Sequence, residues 1–170
     1  MLIGAADGVE GTSSRRDGAV DSRLVFHRVP AASRDALFVE LAARLADQGA
    51  IRDPAELVAR LAKRERDGCT GVGRGVAIPH CRLDALGGEV VAFASTETPV
   101  DFGALDGIPV DLVFLVVSPA QAAAAHLQAV ARVSRLLRLP GIVDALRRAG
   151  SAPELHDLLR AAEASAGAAS

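Results

Sequence analysis

His80 and the glycine-rich segment before it carry the clearest chemical signal in this chain. Residues 71–80 have the sequence GVGRGVAIPH, in which three alternating glycines precede a short β-prone run. Glycine lets the backbone turn and approach a ligand closely, and Pro79 keeps the residue before it extended. The pattern therefore predicts His80 at the end of a short, stiff strand, beside a loop rich in unpaired backbone N–H groups.

The chemistry open to His80 follows from its imidazole ring. The ring is largely neutral near pH 7, and one of its nitrogens is then a nucleophile. If the other nitrogen donates to a backbone carbonyl, the ring is held in one tautomer. It can then attack a phosphoryl group and carry it as a covalent intermediate. The alternative is a loop histidine with no chemical role.

The glycine segment departs from two familiar phosphate-binding motifs. A Walker P-loop requires Lys and then Ser or Thr after its last glycine, whereas Val76 and Ala77 follow Gly75 here. A Rossmann fingerprint leaves a strand and opens a helix, whereas this segment leaves a predicted helix and opens a strand. Two interpretations stay open: a nest of N–H groups that holds one phosphate or carboxylate, or a tight helix-to-strand turn.

Other charged and titratable residues are candidates for a site at His80. His126 lies on the inward stripe of a predicted helix, and is either a core histidine or a group that reaches toward His80. Arg64 occupies the last turn of the helix before the glycine segment, and either faces solvent or clamps phosphate oxygens. Arg74 is open to the same two interpretations, and Glu65 either pairs with one of these arginines or has no role.

The two cysteines favour neither a disulfide framework nor a metal site. Cys69 and Cys81 lie next to the glycine segment, and so few cysteines indicate a reducing compartment. Neighbours in an extended segment point to opposite faces, so the side chains of His80 and Cys81 should not converge. The sequence has no CxxC or HxxxH spacing, so we expect no metal.

The hydrophobic pattern predicts the elements that must position these groups. Ser33, Asp53 and Ser118 each begin a helix as N-caps, and the strand at 110–117 is apolar enough to be central in a sheet. An apolar sheet needs helices on both faces, which predicts an α/β fold, a three-layer α/β/α sandwich with a mixed sheet. The predicted order is β-α-α-β-β-β-α-α-α, with strands at 24–29, 76–78, 90–95 and 110–117, and helices at 33–48, 53–67, 118–139, 141–149 and 151–163.

Composition limits the classes of partner. The chain has 170 residues, 50% of them hydrophobic and 24% charged, which favours one domain with a proper core. A net charge of −2 and 3% aromatic residues argue against nucleic acid as a partner.

The start of the sequence has no apolar core typical of a signal peptide, and the apolar run at 112–117 is far shorter than the ~20 residues of a membrane span. We expect a cytoplasmic protein with a flexible tail at 1–22, a domain at 23–163 and a frayed end at 164–170.

The segment RERDGCTGVGRGVAIPH at 64–80 resembles a known signature. It is similar to RE..GSTGIGNGIAIPH of the fructose/mannitol-type enzyme IIA domains of the bacterial phosphotransferase system (PTS), which include a nitrogen-regulatory branch. The similarity continues through 97–116 and the pair His126-Leu127, and covers about residues 24–162. It implies that His80 is phosphorylated on a ring nitrogen, that His126 and Arg64 lie beside it, and that Thr70 supplies a loop hydroxyl.

The resemblance also implies partners. The donor is a phosphocarrier of the HPr type, and the acceptor is a IIB component or a regulatory target, with no nucleic acid, membrane insertion, metal or organic cofactor. A lone domain favours the nitrogen-regulatory branch over sugar uptake, and a non-phosphorylated binding module on the same fold is a further alternative. Departures from the family pattern occur at Cys69, Arg74 and Cys81. Expected phosphate contacts are Thr70, Gly71, Gly73, Arg74 and Gly75.

Overall fold

The structure of the protein, a computed structural model, describes residues 20–168. The predicted tail at 1–22 therefore lies outside the described residues, except for its last three. These three are ordered: Val20 is buried in the core, and the Asp21 side chain accepts from the backbone N–H of Arg23 at the start of a short 3-10 turn, Ser22–Leu24. Val20 adds an apolar side chain to the core on one face of the sheet, and the domain boundary at residue 23 stays a prediction.

Six strands and five α-helices follow the 3-10 turn in the described part of the chain. None of these helices is both long and apolar enough to cross a membrane. The elements in chain order are β1 Val25–Val29, α1 Arg34–Asp47, α2 Pro54–Arg66, β2 Gly71–Gly73, β3 Val76–Ala77, β4 His80–Leu83, β5 Val90–Val100, β6 Val110–Pro119, α3 Ala123–Leu136, α4 Ile142–Arg148 and α5 Ala152–Ala168.

The strands form one mixed sheet around β6. The order is β1-β5-β6-β3-β2, and β4 pairs with β6 as well. On one side of β6 lie β3 and β4, both parallel to it; β3 is level with Leu112 and β4 with Val116. On the other side lies β5, which is antiparallel to β6. β5 in turn pairs with β1 in parallel. The predicted central position of the 110–117 strand is confirmed, as is the mixed sheet.

Alternate residues of β6 face two separate hydrophobic cores. Val113, Leu115 and Val117 pack with the core residues of α1 and α2. Leu112, Phe114 and Val116 pack with those of α3, α4 and α5. This period of two is the side-chain alternation of a strand buried on both faces. The predicted α/β/α sandwich is therefore confirmed.

Two predicted helix starts are confirmed and a third is wrong. Ser33 and Asp53 accept hydrogen bonds from the backbone N–H groups of Ala36 and Glu56, and Pro54 takes the first turn of α2. Ser118 does not cap a helix, because pairing with β4 extends β6 to Pro119. α3 begins at Ala123 without a side-chain cap.

The sequence pattern also missed strands and a helix end. β2 and β4 were not predicted, since glycine-rich or four-residue strands give little periodic signal. The pattern predicts that the last helix ends near residue 163, with 164–170 frayed; α5 continues to Ala168, and 169–170 lie outside the described residues. The alanines in this added stretch are strong helix formers, which explains the extension.

Candidate functional site

His80 lies where the sheet changes from β3 to β4. Pro79 separates the two strands, and His80 opens β4 level with Val116 of β6. The Nδ1 atom of His80 lies 2.8 Å from the carbonyl oxygen of Ile78. A carbonyl can only accept, so Nδ1 carries the proton and donates it to this bond. The ring is therefore bonded to a backbone carbonyl, and the lone pair of the neutral ring lies on Nε2.

Arg64 reaches this lone pair from the last turn of α2. Its Nε–H donates to Nε2 of His80 at 3.1 Å, and its Nη1 donates to the carbonyl oxygen of Gly68 at 2.9 Å. A guanidinium has donors and no acceptor, so this bond requires the same tautomer as the bond to Ile78. Two independent contacts therefore place the lone pair of the neutral ring on Nε2 and a positive charge beside it.

His126 approaches from the opposite helical layer. It lies in the first turn of α3, and its ring centroid is 5.4 Å from that of His80. Its Nδ1 is 2.9 Å from the hydroxyl oxygen of Ser118, which is fully buried at the end of β6. When the hydroxyl donates to Nδ1, the proton of the neutral His126 ring is on Nε2. The arrangement then offers an N–H donor next to His80, and Ser118 acts as its positioning residue.

Both histidines are held in the neutral form. Burial lowers the pKa of His80; the carbonyl of Ile78 opposes that shift, and the charge of Arg64 adds to it. Burial also lowers the pKa of His126, and the nearby His80, Arg82 and Arg64 lower it further. Near pH 7 the Nε2 atom of His80 therefore keeps its lone pair, which accepts from Arg64.

These pKa shifts predict a loss of stability in acid. An unfolded chain protonates its histidines near the ordinary pKa of about 6.5, whereas the folded protein resists protonation of His80 and His126 to a lower pH. The unfolded state then binds more protons, so the free energy of unfolding falls as pH drops from about 6.5 through the lowered pKa values. Urea unfolding at about pH 7.5 and 5.5 measures this. The difference in the free energy of unfolding between the two pH values should be smaller in a His80→Gln/His126→Gln protein than in the wild type. An equal difference in both proteins would show that these two histidines do not cause it.

An open cavity of about 440 Å³ surrounds the two rings. Arginine and lysine side chains outnumber the one acidic side chain in its lining, Asp67. The apolar side chain of Leu127, at the rim of the cavity, is 70% exposed. This positive surface suits a doubly charged phosphoryl group and an acidic or phosphorylated partner. The cavity is lined by Arg60, Lys63, Arg64, Asp67, His80, Cys81, Arg82, Ala123, His126 and Leu127.

Most of the chain matches one known protein family. The sequence profile of the family described as "Phosphoenolpyruvate-dependent sugar phosphotransferase system, EIIA 2" matches residues 19–162. This chain belongs to that EIIA 2 family. The resemblance stated from the sequence is confirmed.

Nitrogen-regulatory and sugar-specific EIIA proteins are both among the relatives. A nitrogen regulatory protein of Bradyrhizobium diazoefficiens is 46% identical over 99 residues, which are 58% of this chain and 65% of that protein, just under two thirds of its length. A nitrogen regulatory protein of Pseudomonas aeruginosa is 35% identical, covering 77% of this chain and 85% of the relative. A fructose-specific EIIA component of Haloferax volcanii is 33% identical, covering 80% and 88%.

Solved EIIA structures share the fold. The nitrogen regulatory protein IIA-Ntr of Neisseria meningitidis superposes with a TM-score of 0.76 at 30% identity, covering 83% of this chain and 96% of that one. The IIA mannitol protein of Escherichia coli superposes with a TM-score of 0.68 at 22% identity, covering 82% and 98%. The second comparison supports the fold alone.

The glycine segment of this EIIA protein does not reach the cavity. Gly71 pairs with Ala77 in the β2–β3 hairpin, and the carbonyl oxygen of Gly75 accepts from the N–H groups at the start of β6, Asp111 and Leu112. His80 is level with Val116, so the hairpin turn is about 15 Å from it along the strand. Contact between the phosphate and Gly71, Gly73 or Gly75 stays a prediction, and no contact in the described chain supports it.

Arg74 occupies the tip of that hairpin and not the site. Its φ is 57°, in the left-handed region that favours glycine or asparagine. Its N–H donates to Asp106, and its carbonyl oxygen accepts from Arg147. The left-handed φ gives a structural reason for asparagine in the family pattern at this position. The predicted role of Arg74 at the phosphate has no contact to support it.

Glu65 and Thr70 connect the helix end to the nucleophile. Glu65 is buried, and it accepts from the Thr70 N–H at 2.8 Å and from the Thr70 hydroxyl at 2.6 Å, so it does not pair with Arg64 or Arg74. The carbonyl oxygen of Thr70 accepts from the N–H of Ile78, whose own carbonyl binds His80. The Thr70 hydroxyl donates to Glu65, and its predicted contact with phosphate remains unsupported.

Thr70→Val is expected to lower the free energy of unfolding by about 1–3 kcal/mol, because it leaves the buried carboxylate of Glu65 short of a donor. Thr70→Ser keeps the hydroxyl and should restore most of the loss. Thr98→Val on the exposed part of β5 is the matched control and should stay near the wild-type value. Urea unfolding measures all three proteins. A Thr70→Val protein as stable as the Thr98→Val protein would contradict this role.

Of the two cysteines of the EIIA protein, Cys81 lines the cavity of the two rings and Cys69 does not. The Cys81 side chain belongs to the core on the α1–α2 side, and burial raises its pKa to about 12. His80 contacts His126 on the other side, but His80 and Cys81 both line the cavity, so the divergence of these neighbours stays a prediction. The thiol of Cys69 donates to the carbonyl oxygen of Phe102. Among residues 20–168, no group of three or more acidic, histidine or cysteine side chains could hold a metal ion.

Proposed function

We propose that the protein is a phosphohistidine carrier of the PTS, in which Nε2 of His80 accepts a phosphoryl group from the phosphohistidine of an HPr-type protein. The observation that carries this proposal is the lone pair on Nε2. Bonds to Ile78 and Arg64 fix it in one place, inside a cationic cavity and beside His126. Family membership supports the same chemistry.

The transfer can be written with each atom and electron pair assigned. The Nε2 lone pair of His80 attacks phosphorus, and the N–P bond of the donor breaks, returning its electron pair to the donor nitrogen. The donor ring keeps a proton on its other nitrogen, so it leaves as a neutral imidazole. Nδ1 of His80 keeps its proton on the carbonyl of Ile78, so the phosphorylated ring takes over the positive charge of the donor ring and no proton must leave it for the new bond to form. The step balances with the donor, the acceptor and the side chains of the cavity.

Arg64 and His126 have complementary roles in this proposal. The Arg64 guanidinium leaves the lone pair as phosphorus arrives and donates to the phosphoryl oxygens, whose charge it stabilises. The Nε2–H of His126 donates to the same oxygens from the α3 side. Hydrogen-bond donors from both helical layers then enclose the phosphoryl group at the edge of the sheet.

The acceptor we favour is a regulatory target protein. Nitrogen regulatory proteins are among the relatives, at up to 46% identity in those compared. Phosphorylation of His80 adds negative charge to a cationic cavity with an exposed apolar rim at Leu127, which changes the partners that this surface binds. The fructose-specific EIIA relative supports the alternative, transfer to a IIB component during sugar uptake. Either role implies a cytoplasmic protein.

The proposal is tested by supplying labelled phosphoenolpyruvate, enzyme I and an HPr-type carrier to the purified protein. We expect one acid-labile, alkali-stable phosphate per chain, assigned by NMR to Nε2 of His80. Omission of the HPr-type carrier is the control and should leave the protein unlabelled. Absence of label with both sugar-type and nitrogen-type donor pairs would reject the relay in favour of a non-phosphorylated binding module.

A second experiment separates regulation from uptake. The phosphorylated protein is mixed with a purified fructose-type or mannitol-type IIB domain, and transfer is followed in time. Retention of the phosphate on His80 would favour the regulatory role. Rapid transfer to IIB would favour sugar uptake.

A further inference from the structure

A larger groove lies on the other side of β6 from His80. We call it the α5 groove, and its volume is about 850 Å³, within the range of small-molecule sites. His80 is on β4 at one side of β6, whereas the groove adjoins the start of β5 and the turn before β1 on the other side. Its walls are residues 20–24, 48–52 and 85–91, with His156 and Arg160 of α5.

The charges of the α5 groove are not balanced. Asp21 binds the guanidinium of Arg23 through both carboxylate oxygens, and Glu89 pairs with Arg132 of α3. Arg52 and Arg160 also line the groove, and neither makes a side-chain hydrogen bond or ion pair within residues 20–168. Thus each acid of the groove already has an arginine partner, while the guanidinium groups of Arg52 and Arg160 have no acidic partner among the residues that the structure describes.

We propose that the α5 groove binds a small multivalent anion, held through its phosphate or carboxylate oxygens by Arg52 and Arg160. A guanidinium presents planar paired donors that match both groups. The two arginines come from separate elements, the α1–α2 loop and α5, and His156 lies one turn before Arg160 on the same helix. Binding in this groove does not depend on the proposed phosphoryl relay.

Two covalent or polar connections link the groove to the histidine pair. Residues 85–91 of the groove directly follow β4, whose first residue is His80. Glu89 in that segment pairs with Arg132 of α3, and α3 also carries His126. An anion that orders the 85–91 segment therefore acts on both elements that present the imidazole rings. We expect the ring signals of His80 and His126 to shift when the groove is filled.

NMR titration of the full chain with inorganic pyrophosphate and, separately, with citrate tests the proposal, with sodium chloride at matched ionic strength as the background. We expect saturable shifts in residues 85–91 and in the side-chain Nε–H signals of Arg52 and Arg160. Tighter binding of pyrophosphate would identify a phosphorylated ligand class, and tighter binding of citrate a polycarboxylate. Shifts confined to the His80 cavity, or no saturation by about 10 mM, would overturn the site.

Matched variants locate the binding. Arg52→Gln/Arg160→Gln should weaken it about 100-fold, since each charged hydrogen-bonding partner contributes about tenfold. Arg135→Gln/Arg138→Gln removes the same charge from exposed positions in the last turn of α3 and just beyond it, and should leave affinity near wild type. Equal weakening in both double variants would show nonspecific attraction and overturn the proposal. Unshifted His80 and His126 signals at saturation would overturn the link to the rings.

Discussion

The His80→Gln protein is expected to take up no phosphoryl group. Glutamine keeps a polar side chain that can accept from Arg64, so the cavity and the fold should survive. Its amide nitrogen has no lone pair available for attack, whereas the Nε2 atom that it replaces is the nucleophile of the proposed transfer. Labelling with phosphoenolpyruvate, enzyme I and an HPr-type carrier measures the effect, which should be a complete loss of stable label.

His156→Gln is the matched control for that experiment. It makes the same chemical change on α5, outside the cavity of the two rings, and should be labelled at the wild-type rate. His126→Gln should be slower than wild type but still labelled, because His126 donates to the phosphoryl group and does not attack it. Stable label on the His80→Gln protein, with none on His126→Gln, would exchange the roles of the two histidines and contradict the proposal.

The site could be predicted from the sequence where chemistry and local pattern coincide. Pro79 and the β-prone run before it place His80 at a strand terminus. The helix end at Arg64 and the inward stripe that contains His126 made these two residues candidates for the same site, beside the alternatives of a solvent-facing arginine and a core histidine. These features are short-range, since each depends on neighbours within one or two turns or a few residues of strand. The structure brings all three side chains together.

Tertiary contacts of individual hydroxyl and carboxyl groups could not be predicted in the same way. Ser118 has the sequence features of a helix N-cap, yet its hydroxyl binds His126, because β4 pairs with the end of β6 and moves the helix start. The bond between Glu65 and Thr70 depends on how α2 meets the strands. The sequence spacing of these residue pairs does not show whether their side chains bind each other or face solvent.

Gly75 shows that the sequence can predict a need for glycine without showing which contact requires it. Gly75 has a φ of 74°, and a Cβ there would lie 2.9 Å from the Oδ1 atom of Asp111 and closer still to the guanidinium of Arg147. Glycine is therefore required for the hairpin turn and its packing against β6. Sequence reasoning could identify that need for backbone freedom, but not whether a ligand or the protein itself makes the close approach.

Arg64→Gln is expected to slow phosphorylation of His80 by about 100-fold or more. In the structure the guanidinium binds the lone pair that must attack, so its removal has two opposing consequences. Loss of the nearby positive charge raises the pKa of His80 and makes Nε2 more basic. Loss of a charged donor to the phosphoryl oxygens costs roughly 10²–10³ in rate in comparable sites. The second effect exceeds the gain in basicity, because a modest pKa change alters nucleophilicity only weakly.

Measurement of both quantities tests that balance. Single-turnover labelling at several donor concentrations should show the loss chiefly in the maximal rate, and NMR titration should show a raised pKa of His80 in the same protein. Arg66→Gln, two residues further along α2 and outside the cavity, removes the same charge and should change neither quantity. Faster labelling of Arg64→Gln would mean that Arg64 mainly shields the lone pair. Arg64 would then restrain the transfer, and stabilisation of the phosphoryl oxygens would fall to His126 and the other cations of the cavity.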